Sequence, residues 1–182
     1  MGLMGLIRRG RHERAGFGLY GAAVSAARDS YFYATLGVPD TLDGRFDMLG
    51  LHAALLIRRL RQCPEPGPAI AQAVFDAMFS DMDRNLREMG VSDLAVGKRV
   101  RAMWEAFHGR AQAYDAALDA NDPDALAAAV SRNVWRGEQA AHGATETLAR
   151  VALAQSAFLA DQPLADLAAG RVRFLPATEA AR

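Results

Sequence analysis

Histidine is the residue type in this sequence best suited to metal binding, and it occurs at positions 12, 52, 108 and 142. Glu105 and His108 form an ExxH pair, the spacing used by di-iron carboxylate helical bundles. Such a centre needs this pair twice, with two further carboxylates, and the sequence contains no second ExxH. Glu138 and His142 lie one helical turn apart but supply only two ligands. We therefore predict no metal site and no cofactor.

Motifs for other kinds of catalysis are also missing from the sequence. There is no GxSxG, no phosphate-binding glycine loop and no Cys–His signature, and Cys63 is the only cysteine. The run from Asp81 to Asn85 resembles the start of a calcium loop. That loop would require Gly and Glu where Leu86 and Ser92 stand. The sequence predicts a protein that is not an enzyme.

The composition limits the fold and the partners. Of the 182 residues, 51% are hydrophobic, and 21 Lys and Arg balance 21 Asp and Glu. A neutral chain is unlike a dedicated nucleic-acid binder, so we expect no DNA partner. Abundant Ala and few β-branched residues favour helices over strands. The most apolar stretch, 48–57, is about half as long as a bilayer crossing requires.

Hydrophobic periodicity predicts an all-α fold, a single-domain bundle of about six to seven helices. The expected helices cover residues 20–35, 41–62, 69–89, 93–120, 123–135, 145–161 and 163–169. The second is apolar on nearly every side, which predicts a central position and makes His52 a hydrogen-bonded core residue. The segment 171–176 partly alternates polar and apolar residues and is expected to lie extended across the bundle.

The sequence divides into a flexible basic arm, residues 1–16, and a helical domain, residues 17–182. The arm contains Arg8, Arg9, Arg11 and Arg14. Two interpretations of these arginines stay open: contact with an anionic membrane or RNA, and a frayed terminus in water.

Two groups of cations lie on the predicted helices. Arg58, Arg59 and Arg61 end the second helix, where the helix dipole favours positive charge. Lys98, Arg99 and Arg101 lie early in the fourth helix, where the dipole disfavours it. This departure from a local preference favours a partner-binding surface, with plain solvated charge as the alternative.

Aromatic residues follow on the fourth helix and are candidates to line a binding groove. Phe107 and Tyr114 lie on the main apolar stripe and are expected to be buried. Trp104 and His108 lie beside the stripe and are expected to be partly exposed.

The segment from Phe75 to Leu118 resembles the ubiquinol–cytochrome c chaperone family. The resemblance rests on an acidic pair at Asp81 and Asp83, the string REMGV, the pair GR after Phe107, and the string AYDAAL. FDMLGLHAALLIRRLR upstream and DLAAGRVRFLP downstream resemble further parts of the family. The resemblance thus extends from about Phe46 to Pro176.

That family comprises helical assembly factors for respiratory complex III. The resemblance implies a non-enzymatic chaperone that binds newly made cytochrome b, or another complex III subunit, at the inner face of the membrane. It implies a bacterial cytoplasmic location, or the mitochondrial matrix in a eukaryote. An anionic membrane surface is a further candidate partner, and contact with a ribosome or RNA is left open. The candidate partner-binding residues are Arg58, Arg59, Arg61, Lys98, Arg99, Arg101, Trp104, Phe107, His108, Tyr114 and Asp115.

One alternative comes from another class of function. A small-ligand or haem-binding helical module would use His52 or His108 as an axial ligand.

Overall fold

The computed structural model describes residues 3–136 and 138–182, with side chains from Arg8 onward, and their regular structure is entirely helical. The helices are α1 Leu3–Ala27, α2 Ser30–Ala34, α3 Leu42–Arg61, α4 Gly67–Glu88, α5 Asp93–Asp119, α6 Pro123–Val130, α7 Ala144–Ala160, α8 Leu164–Ala168 and α9 Ala177–Ala180. One π-helical turn, Ser131–Trp135, continues α6. The predicted all-α single-domain fold is confirmed.

Helix α3 lies at the centre, as its apolar sequence predicted. It packs against α1, α4, α5 and α7. Every residue from Gly50 to Ile57 is buried, so no face of the helix is left to water over two turns. Thr41 caps the helix, since its hydroxyl accepts a hydrogen bond from the Gly44 amide at 3.1 Å. The rest of the bundle is arranged around this element.

Helix α1 begins well before Tyr20, where the sequence placed it, and includes most of the segment assigned to the arm. Its buried face packs on α4, and Gly16 makes the closest approach. A Cβ at Gly16 would lie 2.6 Å from the Ala73 carbonyl carbon, so only glycine lets the two backbones come this near. The Tyr20 hydroxyl donates to Asp81 at 2.7 Å across the same interface. The mobility of residues 1–16 stays a prediction.

The predicted first helix is in fact two helices, because Asp29 interrupts it. One oxygen of the Asp29 carboxylate accepts from the Tyr31 amide at 3.0 Å and caps α2. The other accepts from the Ala177 amide at 3.2 Å, which joins α2 to the start of α9. A single side chain therefore fixes a junction between distant parts of the chain.

The segment 171–176 has no regular structure and is held by two glutamines of α7 and its end. The Gln162 amide donates to the Arg173 carbonyl at 2.8 Å and accepts from the Arg173 amide at 2.9 Å. Gln155 does the same with Leu175, at 2.7 Å and 2.9 Å. Each glutamine side chain thus supplies the donor and the acceptor that the backbone of a neighbouring strand would otherwise supply. The extended path of the segment stays a prediction.

No helix among the described residues combines the length and apolarity needed to cross a membrane. The bundle instead encloses its apolar side chains in one core that runs from α1 through α3 to α7.

His52 is buried within that core. Its ring lies between Phe32 and Phe174, with 5.5 Å between ring centroids on each side, and Nδ1 donates to the Met48 carbonyl at 2.8 Å. Burial lowers the pKa of His52, although the Met48 carbonyl and Asp29 act in the opposite direction. The imidazole is therefore neutral in the folded protein, and the predicted role as a hydrogen-bonded core residue is confirmed.

We expect the free energy of unfolding to fall as the pH falls below about 6.5, the ordinary histidine pKa. Because the folded protein holds His52 neutral, only the unfolded chain gains its proton in this range. The slope from this group reaches at most about 1.4 kcal/mol per pH unit. Urea denaturation between about pH 5 and about pH 7.5 measures it. His52→Gln should reduce the slope, whereas His142→Gln, at an exposed position, should leave it unchanged.

Candidate functional site

Five aromatic rings form a cluster between α4 and α5, which we call the aromatic cluster: Phe75, Phe79, Trp104, Phe107 and His108. The Phe75 and Phe79 centroids lie 4.7 Å apart, and Phe75 lies 5.8 Å from Phe107. Trp104 and His108 stack at 4.0 Å with an angle of 35° between their planes. These separations lie within or near the range of favourable aromatic pairing. The cluster is one continuous aromatic surface.

The solvent exposure of the side chains differs across the aromatic cluster. Phe107 is only 4% exposed and anchors it in the core, whereas 44% of Trp104 is accessible. Phe75, Phe79 and His108 are half-buried between them. The expected burial of Phe107 and partial exposure of Trp104 and His108 are confirmed. The cluster therefore presents aromatic faces to the solvent from a fixed base.

Further apolar side chains are exposed where α4 turns into α5. Leu94 is 88% accessible and Met89 is also exposed. Together with Trp104, they make three of the five large apolar side chains that are strongly exposed in the described part of the chain. Leu94, Arg101 and His108 recur every seven residues and so lie on one side of α5. Exposed apolar side chains along α5 and at its start make this side a candidate binding surface.

Helix α5 can present this side because it attaches to the bundle by a narrow stripe. Its buried residues are only Val96, Phe107, Tyr114 and Ala117. Gly97 and Gly109 have no neighbouring atoms within 4 Å of where a Cβ would lie. The first half of this 27-residue helix, as far as Glu105, is thus mostly exposed, whereas most of its second half is buried or half-buried.

The cations of α5 lie at the solvent, as the sequence predicted. Lys98, Arg99 and Arg101 are all exposed. Arg101 pairs with Glu105 at 3.0 Å, one turn further along the helix. Because this is a surface pair within one helix, it contributes little to stability and leaves the group available to a partner.

Arg58 and Arg59 have structural contacts that the sequence did not reveal. The Arg58 guanidinium lies 3.5 Å from Asp115 and 2.6 Å from Asp119, which fastens the end of α3 to α5. Arg59 donates to the carbonyls of Leu159 and Gln162 at 2.9 Å and 3.0 Å, near the end of α7. These two arginines are thus engaged within the fold, and only Arg61 of this group is exposed.

Asp115 and Tyr114 also belong to the interior more than to the surface. Burial raises the pKa of Asp115, and the Arg58 guanidinium acts against this. Burial likewise raises the pKa of Tyr114 to about 12. The Tyr114 hydroxyl has no hydrogen-bond partner among the described residues, although Asn133 lies near it. The predicted burial of Tyr114 is confirmed, and its ring packs between α5 and its neighbours.

A buried charge network holds α5 against α3, and sequence analysis did not find it. The side chain of Asp47 is completely inaccessible. It accepts from Arg110 of α5 and from Arg136, whose Nε donates to Asp47 Oδ2 at 2.8 Å. Arg136 also bonds Asp43 at 2.7 Å. An acidic residue inside an apolar helix was the signal available in the sequence.

The electrostatics of this network favour an ionised Asp47 carboxylate beside two guanidinium cations. Burial raises the pKa of Asp47, while the Arg136 and Arg110 guanidinium groups act in the opposite direction. The hydrogen bond to Asp47 raises the pKa of Arg136. With two guanidinium groups on one carboxylate, we take Asp47 to be ionised at neutral pH, because a neutral acid would leave both cations without their acceptor.

The two histidines considered as axial ligands, His52 and His108, are both held by contacts within the fold. No group of three or more His, Cys, Asp or Glu side chains suited to a metal ion occurs in residues 3–136 and 138–182. Rings cover both faces of His52, so the packing leaves no space for a porphyrin beside it. His108 donates from Nδ1 to the Trp104 carbonyl at 3.0 Å and stacks on its ring. Nδ1 of each of these histidines is thus occupied by a hydrogen bond within its own helix.

The surface of α4 and α5 has features suited to binding. Flat aromatic rings and exposed Leu and Met side chains accept apolar groups of many shapes. The neighbouring cations would pair with acidic groups at the edge of the same contact. These features fit an apolar polypeptide segment as the ligand.

Comparison with known proteins agrees with the resemblance found in the sequence. The family model described as ubiquinol-cytochrome C chaperone matches residues 34–174. The chain is also similar to the crystal structure of the Cbp3 homolog from Brucella abortus, at 37% identity and a TM-score of 0.84. That similarity covers 98% of this chain and 99% of the other.

Two curated relatives are more distant. Ubiquinol-cytochrome-c reductase complex assembly factor 1 of Xenopus laevis is 26% identical over 116 residues, or 64% of this chain and 58% of that protein. Its counterpart from Mus musculus is 25% identical over 162 residues, or 88% of this chain and 55% of that protein. The chain thus spans somewhat more than half the length of these relatives.

The Asp47 network predicts a large loss of stability when its acid is removed. Asp47→Ala should lower the free energy of unfolding by about 3–5 kcal/mol, because two guanidinium groups would lose their buried acceptor. Denaturant titration at neutral pH measures the change. Asp40→Ala removes the acid of the exposed Asp40–Arg45 pair and should cause no measurable change. Equal effects of the two substitutions would contradict the role assigned to Asp47.

Proposed function

The chain belongs to the ubiquinol–cytochrome c chaperone family, and on this basis we propose that it is an assembly chaperone for the ubiquinol–cytochrome c reductase complex, respiratory complex III. The observation that carries the proposal is the family match over residues 34–174, which includes the whole of α3, α4 and α5. The mouse and frog relatives are named as assembly factors of that complex. The proposal involves binding alone, with no catalytic step.

The client in this proposal is newly made cytochrome b. A membrane subunit exposes apolar helices until its partners and the bilayer cover them, and a chaperone must shield that surface meanwhile. The aromatic cluster, together with the exposed Leu94 and Met89 near the turn from α4 to α5, supplies apolar side chains of the kind required. Its rigid base on Phe107 means that little conformational freedom is lost when a client binds.

The dimensions support contact with one helix of the client. From Leu94 to His108 the exposed side of α5 extends roughly 20 Å, at 1.5 Å per residue. The apolar core of a bilayer is about 30 Å thick, so this side would cover a large part of one membrane-spanning helix. An α-helix laid along α5 would meet exposed groups at intervals of one or two turns.

Charge would fix the orientation of that contact. Lys98, Arg99 and Arg101 lie on the exposed circumference of α5 and would pair with acidic groups next to the apolar segment of the client. The complex would form in the bacterial cytoplasm against the inner face of the membrane, where cytochrome b is inserted.

A double substitution on α5 tests the proposed client surface. Trp104→Ala with Leu94→Ser should reduce the recovery of cytochrome b with the tagged protein from solubilised membranes at least severalfold, because it removes exposed apolar contacts and spares the buried stripe. Leu42→Ser is the matched control, since Leu42 is 62% exposed at the start of α3. Circular dichroism melting checks that all variants are folded.

Two results would contradict the proposal at different levels. If the folded double variant captures cytochrome b as well as the unchanged protein does, the client surface is wrong. If the unchanged protein recovers no cytochrome b and a deletion strain assembles normal amounts of complex III, the function itself is wrong.

A further inference from the structure

A cleft of about 810 Å³ lies where the first part of α1 meets the connection between α3 and α4 and the helix α8. Its rim is cationic, with Arg8, Arg11 and Arg14 from α1 and His12 beside them. Pro66 and small alanines of α8 form much of the remaining wall. The arrangement leaves room for a headgroup-sized ligand against a surface without bulky side chains.

The arginines of this cleft are not neutralised by the protein. The only carboxylate in its lining is Glu65, which faces three guanidinium groups. None of the three arginines forms an ion pair within the described part of the chain. Since the whole chain has a net charge of zero, this excess is a local feature.

A second cleft, of about 490 Å³, gives the comparison. It shares Arg8 and His12 with the first, but its lining holds two carboxylates, Glu13 and Asp76, beside Arg8 and Arg9. Arg9 and Glu13 bond at 3.0 Å. The two clefts, which share part of α1, therefore differ in charge: three guanidinium groups line the first against one carboxylate, and two line the second against two carboxylates.

Guanidinium groups bind phosphate oxygens through paired, charge-assisted hydrogen bonds. Two further features indicate a phosphate at a membrane rather than one in solution. Phe17, 53% exposed, lies one turn beyond Arg14 on the same helix. The sequence just before Arg8 is apolar, with Leu3, Met4, Leu6 and Ile7. Apolar residues next to an arginine cluster are typical of helices that lie at a lipid surface.

We infer that this cleft binds the phosphate groups of acidic phospholipids and so holds α1 against a membrane surface. The contact lies on α1 and α8, whereas the proposed client surface lies on α4 and α5, so the two can be occupied together. The inference adds to the proposed function without depending on it, because vesicle binding is measured with no client present.

Flotation of the purified full chain with lipid vesicles tests the inference. One vesicle population is phosphatidylcholine alone, and the other is equal parts phosphatidylcholine and phosphatidylglycerol. The protein should float with the anionic vesicles only. Arg8, Arg11 and Arg14 changed together to Gln should weaken this binding at least about tenfold, since each basic residue near an anionic surface contributes about a severalfold effect. Phe17→Ser should weaken it less.

The matched control changes Arg28, Arg84 and Arg132 together to Gln, which removes the same charge from exposed positions elsewhere. This variant should bind anionic vesicles within about twofold of the unchanged protein. Circular dichroism melting confirms that both triple variants are folded. Equal losses in the two triple variants would overturn the inference, because they would show attraction by net charge alone.

Competition distinguishes the sources of phosphate. Inorganic phosphate at millimolar concentration should leave the protein on the vesicles, as chloride does at the same concentration. If phosphate displaces the protein and chloride does not, the cleft binds free phosphate and the assignment to lipid is wrong. Binding of a single-stranded RNA that depends on Arg8, Arg11 and Arg14, with no binding to anionic vesicles, would also overturn it.

Discussion

The burial of Asp47 is the constraint on which the arrangement of the other helices depends. A carboxylate at the centre of the bundle is tolerated only with partners, and Arg110 and Arg136 approach it from two separate parts of the chain. Arg136 adopts a left-handed backbone conformation at the end of the π-helical turn, which ends the helix there. The contact of Asp47 with Arg110 thus sets the position of α5 against α3. The contact with Arg136 lies at the point where the π-helical turn that continues α6 ends.

This anchoring explains how α5 can be long and yet largely uncovered. The helix is fixed by Arg110, by the pairs of Arg58 with Asp115 and Asp119, and by a narrow row of buried side chains. Electrostatic attachment in its C-terminal half leaves the N-terminal half free of the need to bury apolar area. Exposed Leu94 and Trp104 can then serve binding without weakening the core. The C-terminal half of α5 therefore contributes to stability, and its N-terminal half is available for binding.

Periodicity and helix-breaking residues were enough to predict α3, α4 and α5 to within about two residues, because each has a regular apolar stripe and a clear break at each end. The start of α1 could not be predicted in this way, because its arginines and glycines look unstructured until Ala73 is placed against Gly16. The roles of Arg58 and Arg59 were missed for the same reason. Their partners lie far away in the sequence, and only the tertiary fold brings them together.

The two bonds of Asp29 have a consequence for the order in which the protein is made. Its carboxylate caps α2 early in the chain but also receives the amide of Ala177, which follows 148 residues later. During translation the ribosome therefore has to deliver nearly all of the bundle before this junction can close. Until then α2 lacks the contact with α9. Maturation of the N-terminal part of the bundle is thus tied to the completion of its own synthesis.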